Sequence, residues 1–221
     1  AMSVVLERAP ATLTLACAAL LISVVLGIPA GIVAAVKRNS VSDAVIRVLA
    51  LLGQCMPAFW LGIMLIMLFA VKLGWMPTGG AEDGLRSLIL PAFTLGVFSA
   101  ATICRLLRSN LIEVLGKEYI DVAKAKGLPK SKIIGKHALK NAMSSIITIL
   151  GMQFASLLGG SVITEQVFAW PGVGRLVIQS ITTSDFAVVE CIVFLMAVIF
   201  VVINFIVDVL YCVINPRVRL Q

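Results

Sequence analysis

From Ala11 to Val36 the chain carries no charged side chain. A helix rising about 1.5 Å per residue over that length crosses the ~30 Å hydrocarbon core of a bilayer. The feature recurs. Uncharged stretches run from Val48 to Val71, from Ser87 to Cys104 and from Ala142 to Thr164. A fifth runs from Ala187 to Ile214, with its uncharged centre at Cys191 to Val207 between Glu190 and Asp208. In lipid a lone strand cannot satisfy its backbone, so all five are predicted helices. Pro29, Pro57 and Pro91 fall within the first three and mark possible kinks. The predicted fold is an all-α, polytopic membrane protein, read as one transmembrane domain over residues 1–221.

Composition removes the other classes. Of 221 residues, 60% are hydrophobic and only 13% charged, about half the charged share of a soluble domain. That leaves too little polar surface for a soluble enzyme, and too much apolar content for a disordered segment. The five cysteines, Cys17, Cys55, Cys104, Cys191 and Cys212, sit in or beside apolar stretches with no C-x-x-C pair. They read as small apolar packing residues, with no disulfide and no metal site.

Charge sets the predicted orientation. The net charge is +7. When loops are assigned alternately to two sides, 14 of the 18 Lys and Arg fall on one side and 4 on the other. The basic side includes Lys37, Arg38, Arg47, nine residues from Arg105 to Lys140, Arg217 and Arg219. It is predicted to be cytoplasmic, with the N-terminus outside and the C-terminus inside. An outside N-terminus with no basic leader implies a further span upstream, a sixth helix in all.

The only long loop on the basic side, Arg105 to Asn141, predicts a helix over Leu106 to Lys126, a stop at Gly127 and a second short helix begun by Pro129. A basic amphipathic segment can simply lie on anionic lipid. The small Ala123 and Ala125 before the turn favour docking of another protein instead.

Glu118-Tyr119-Ile120-Asp121-Val122-Ala123-Lys124-Ala125-Lys126-Gly127-Leu128 resembles the E-A-A…G loop of ABC importer permeases. Downstream, Ile133, His137, Ala138, Leu139 and Asn141 also match. More narrowly, the segment is similar to the peptide and nickel permease family. Pro10 to Leu13, Met56 to Gly62, Arg105 to Arg108, Val167 to Arg175, Asp208 and Asn215 to Arg217 extend the resemblance over nearly the whole chain. Two departures stand out. The family carries another span before the point where this chain begins, and a proline often stands where this chain has Ser145.

The resemblance implies a type I ABC importer transmembrane domain, a permease subunit of an ATP-driven importer for peptides, nickel or metal chelates in a bacterial inner membrane. It implies three kinds of partner besides the bilayer: a second permease, two ATPase subunits and an extracytoplasmic substrate-binding protein. Glu118, Tyr119, Ala123, Ala125, Gly127 and Leu128 would then form the ATPase-coupling segment. The residues agree with a non-catalytic role. There is no G-x-x-x-x-G-K-[ST] loop to hold ATP phosphates, so ATP and Mg would be bound by partner chains. No cofactor, metal or nucleic acid is expected here. His137 is the only histidine, and alone it makes no metal site.

Ser145, Thr148, Met152 and Ser156 form a polar ridge along the fourth span. It can line a translocation path, or its hydroxyls can bond back to their own helix. Beside it, Gly151, Ala155 and Gly159 form a small-residue ridge suited to close packing. Phe168, Trp170, Pro171 and Gly172 on the outer side read as interface aromatics, or as a gate or docking surface for a delivery protein. The competing class is a carrier or channel without ATPases. The first, second and fourth spans carry no ionisable residue mid-helix, which disfavours a proton-coupled carrier. Asp208 lies near the end of the last span. An intramembrane enzyme lacks any matching motif.

Overall fold

The computed structural model describes residues 1–214; side chains at 144, 145, 147, 148, 160, 208 and 210–214 lie outside that description. Among the predicted site residues, Ser145 and Thr148 fall there, as do Asp208 and the segment Asn215 to Arg217.

Every regular element among the described residues is a helix. α1 (Met2–Val36) is followed by α2 (Val41–Cys55) and α3 (Ala58–Leu65), which continues as a π-helical stretch, Ile66–Lys72. After α4 (Leu85–Leu115) come the short α5 (Glu118–Ala125) and α6 (Lys130–Lys132). A second π-helical stretch, Ile133–Ala138, leads into α7 (Leu139–Val167). α8 (Val173–Thr182) and α9 (Phe186–Ile214) complete the chain. α1, α4 and α9 are each long and apolar enough to cross a membrane. The five predicted spans fall on α1, on α2 with α3, on α4, on α7 and on α9; α2 and α3 make a fourth candidate only as a bent pair, so the second span is not one rod. α2 and α3 meet at 104°. The cause is local: Pro57 pushes Met56 out of the helical region, to φ −74° and ψ 127°, and caps the next helix. Pro10, Pro29 and Pro91 instead lie inside unbroken helices.

The core is built on α1 and α4. An added Cβ at Gly27 would lie 2.7 Å from the Ala100 carbonyl oxygen; at Gly31, 2.9 Å from that of Cys104. On the facing helix, one at Gly96 would lie 2.7 Å from the Ala19 oxygen. Only hydrogen side chains allow backbones this close, the logic of small-residue helix contacts in lipid. At one end, Leu15, Ala16, Ala19, Ala92, Leu95 and Trp170 form a buried cluster. At the other, Ile103, Leu107, Leu111 and Val114 of α4 pack with Ile120, Ile133 and Ile146. The outer faces stay apolar, with Leu21, Val25, Val48, Leu49, Phe194 and Phe205 exposed. A folded chain tolerates so much exposed apolar surface where lipid or protein covers it.

Candidate functional site

The basic end is assembled first. The sequence predicts a helix continuous from Leu106 to Lys126, but α4 stops at Leu115 and α5 begins at Glu118. Gly116, a poor helix former, sits at the break. α5 then closes with two bonds: the Gly127 N–H donates to the Lys124 carbonyl at 2.9 Å, and the Leu128 N–H to that of Ala123 at 3.3 Å. With Gly127 at φ +75°, this is a Schellman cap, whose left-handed residue is most readily glycine. The predicted stop at Gly127 and start at Pro129 both appear, Pro129 capping α6.

α5 has two faces. Ile120 and Ala123 are buried against the α4 and α7 cluster, which Leu128 also joins. Burying Ile120 contributes about 1.5–3 kcal/mol. Glu118, Tyr119, Val122, Ala125 and Gly127 are exposed. Ala123, predicted to let a partner approach, thus turns into this chain's own core, while Ala125 and Gly127 face out; a Cβ at Gly127 would meet no atom within 4 Å. Asn141, at the start of α7, donates to the Tyr119 hydroxyl at 2.9 Å and to the His137 carbonyl at 3.0 Å. His137 therefore holds a place in the frame of this turn.

Beside it lies a buried charge that the sequence reading passes over. Asp43 has no exposed surface. Arg108 donates to both its oxygens, at 2.7 and 2.8 Å, and the Asn39 N–H adds a bond at 3.0 Å. Arg47 stands 3.4 Å away. These donors, Arg108 foremost, hold the Asp43 carboxyl down at about 2, so it stays ionised. The paired, bidentate geometry joins α2 to α4.

Along α7, Met152, Ser156, Gly159, Ile163 and Gln166 are exposed on one helical stripe. Ser156 and Gly159 line a cavity of about 490 Å³ shared with Met196 and Phe200 of α9. The structure thus joins Met152 and Ser156 of the predicted ridge on an open face. The small-residue ridge divides: Gly151 packs on Val207 and Ala155 is buried, whereas Gly159 faces open space.

The far end is organised by Glu165, which has no exposed surface. It accepts a bond from the Thr12 hydroxyl at 2.8 Å and one from the Arg175 N–H at 3.0 Å. The same hydroxyl accepts from the Val173 N–H at 2.8 Å. A carboxylate and a hydroxyl therefore cap the first turn of α8, where free N–H groups and the helix dipole favour negative charge. A Cβ at Gly172 would overlap that carboxylate. Phe168 is buried against Gly62, and Trp170 is buried with its Nε1 donating to the Ala11 carbonyl at 2.9 Å. Pro171 and Gly172, by contrast, line a cleft of about 170 Å³ with Arg8, Arg175 and Gln179. Of the four predicted gate residues, two are packed inside and two border an opening. Nothing in a linear reading pairs Thr12 with Glu165, 153 residues on. The two glycines after Trp170 were the only local signal of crowding there.

The comparisons agree with this architecture. Residues 27–220 match the model of the family described as "Binding-protein-dependent transport system inner membrane component". The di/tripeptide transport system permease protein DppB of Pseudomonas aeruginosa (strain UCBPP-PA14) is 40% identical over 96% of this chain and 71% of its own length. The glutathione transport system permease protein GsiC of Escherichia coli (strain K12) is 43% identical over 94% of this chain and 68% of its own length. Among solved structures, a chain of the inward-facing MetNI methionine ABC transporter superposes with a TM-score of 0.82. That match is 20% identical and covers 97% of both chains, so it speaks for the fold. An amino acid ABC transporter gives 0.69 at 16% identity, over 97% of this chain and 94% of its own. The chain belongs to the family of binding-protein-dependent transport system inner membrane components, the multi-pass permeases of ABC importers.

Proposed function

We propose that this chain forms half of the translocation path of an ATP-driven importer of small peptides. Its basic end is cytoplasmic, and a second permease, two ATPase subunits holding ATP and Mg, and an extracytoplasmic binding protein complete the machine. The observation that carries the reading is the division of α5. Ile120 and Ala123 root it in the core, and Tyr119, Val122 and Ala125 stay exposed among the described residues. A helix built only to lie on lipid would turn its apolar residues outward as one stripe; this one spends Ile120 inward. The two relatives described above carry di/tripeptides and glutathione by name, so small peptides are the proposed substrate class before nickel or metal chelates. The open face of α7 through Met152, Ser156 and Gly159 is proposed to line the path.

Two experiments test the two halves. Val122→Asp should leave membrane levels unchanged and lose co-purifying ATPase chains, because position 122 is exposed. Retained ATPase binding with full stimulated hydrolysis would remove α5 as the docking element. Ser156→Ala should transport nearly normally, whereas Ser156→Trp should stop transport with the assembly intact. Normal transport by the Trp variant would take α7 out of the path.

A further inference from the structure

A wedge opens between α1, α2 and α4 on the membrane-facing side of the basic end. It has a volume of about 360 Å³ and is lined by Leu26 and Ala30 of α1, Ile46 and Leu49 of α2, and Phe93 and Val97 of α4. The walls are almost wholly apolar, and every one belongs to a helix of the membrane region. α2 leaves α1 after a short turn and crosses α4 obliquely. Asp43, on the first turn of α2, meets Arg108, whereas Gly53, near its end, meets Val97 and Ala101. The wedge therefore runs along α2 from Ile46, near the α1–α2 turn, to Gly53.

Its end near that turn carries a charge imbalance. Cys104 lines the wedge, and Arg108 stands one turn beyond it on α4. Arg108 takes both oxygens of Asp43, and Arg47 shares that one acid from 3.4 Å with half its side chain exposed. Lys37 and Arg38 belong to the turn that joins α1 to α2, and neither makes an ion pair among the described residues. Arg108 and Arg47 thus share one carboxylate, and the exposed Lys37 and Arg38 of the adjoining turn add positive charge on the same side of the slot. Fatty acyl chain below and phosphate above is the chemistry that complements both halves. A partner helix would cover the slot and leave the cations unanswered.

We propose that the wedge is a specific site for one anionic phospholipid of the cytoplasmic leaflet, its phosphate on Arg47 and the α1–α2 turn and one acyl chain between Ala30, Leu49 and Val97. The leaflet follows from the orientation proposed above. The binding itself is read as lipid, not as transport, so it stands or fails apart from the importer reading.

The test is native mass spectrometry of the assembled complex, purified in mild detergent and exposed to equal phosphatidylglycerol and phosphatidylcholine. One retained phosphatidylglycerol is expected. Arg47→Gln should lower its retention about fivefold, the effect of one interfacial cation on an anionic headgroup. Ala30→Phe should fill the slot and abolish retention of either lipid. Should Ala30→Phe fail to assemble, Arg47→Gln decides alone. Equal retention of both lipids, or retention unchanged by Arg47→Gln, overturns the site. A photo-crosslinker at Leu49 should capture lipid; capture of a second permease chain instead would equally overturn it.

Discussion

The two ends of the molecule hold their short helices in opposite ways. α5, at the basic end, is attached through apolar contacts of Ile120 and Ala123 and one side-chain bond from Asn141, and its other face stays open. α8, at the far end, is attached by a buried carboxylate and a buried hydroxyl from two other helices, acting on its first turn. Apolar attachment is undirected and tolerates small shifts. A buried carboxylate with fixed donors is directional, and leaving its partners unmet is costly. The far end is fixed in register by directed bonds, and the basic end presents an open face.

The largest effect that would break this contrast is at Glu165. Glu165→Ala strips acceptors from Thr12 and the α8 amides in a buried site, at about 1–3 kcal/mol for each donor left unmet. Thermal unfolding of the purified complex should shift strongly, and membrane levels should fall. Glu165→Gln, which keeps an acceptor, should lose less. Unchanged stability in Glu165→Ala would show that α8 is held chiefly by its apolar contacts, as α5 is.

Next is Ile120→Ala, which removes the main anchor of α5 at about 2–4 kcal/mol. Because α5 is a peripheral element, the loss should appear as ATPase dissociation and local protease sensitivity while the spans remain folded. Global unfolding equal to that of Glu165→Ala would erase the distinction between the ends. A smaller effect is expected of Gly127→Val, where a β-branched residue at φ +75° costs roughly 1–2 kcal/mol. Nothing lies within 4 Å of the new Cβ, so the strain falls on the cap and not on packing. Membrane levels should hold and substrate-stimulated hydrolysis should drop. Tyr119→Phe is the smallest, removing one exposed hydrogen bond worth at most about 1 kcal/mol. It should leave stability within error and reduce coupling slightly, if at all.

What was legible in the sequence follows the range of the forces involved. Hydrophobic runs and the helix stop at Gly127 are local, and they appear where periodicity and turn chemistry put them. The bend at Met56 and Pro57 was legible too, because a proline restrains its neighbour whatever the fold. Its place inside an apolar stretch made it read as a kink within one span, whereas Met56 leaves the helical region altogether and the two helices meet at 104°. Thr12 with Glu165 and Asp43 with Arg108 were not legible. Each pairs residues on different helices, and a charge beside an apolar run looks the same whether it faces water or a partner. Glu165, the first charge after the apolar run Ala142 to Thr164, looks in the sequence only like the end of a span, whereas it is the residue that fastens that end. Gly27 and Gly31, spaced by four, were a visible small-residue signature that gained meaning only once Ala100 and Cys104 lay opposite.

That glycine contact has a mechanical consequence. Two rods in backbone contact along their length resist bending far more than either alone, as a laminated strut does. α1 and α4 form such a strut. One of its ends carries Thr12, which holds Glu165, and the other stops at Gly116, one residue short of the start of α5's lead-in. A push on α5 therefore has little to bend. Under the proposed docking of α5, such a push would fall on the joints, Gly116 at one end and the Phe168 to Gly172 turn at the other, and the strut between them would move as a body.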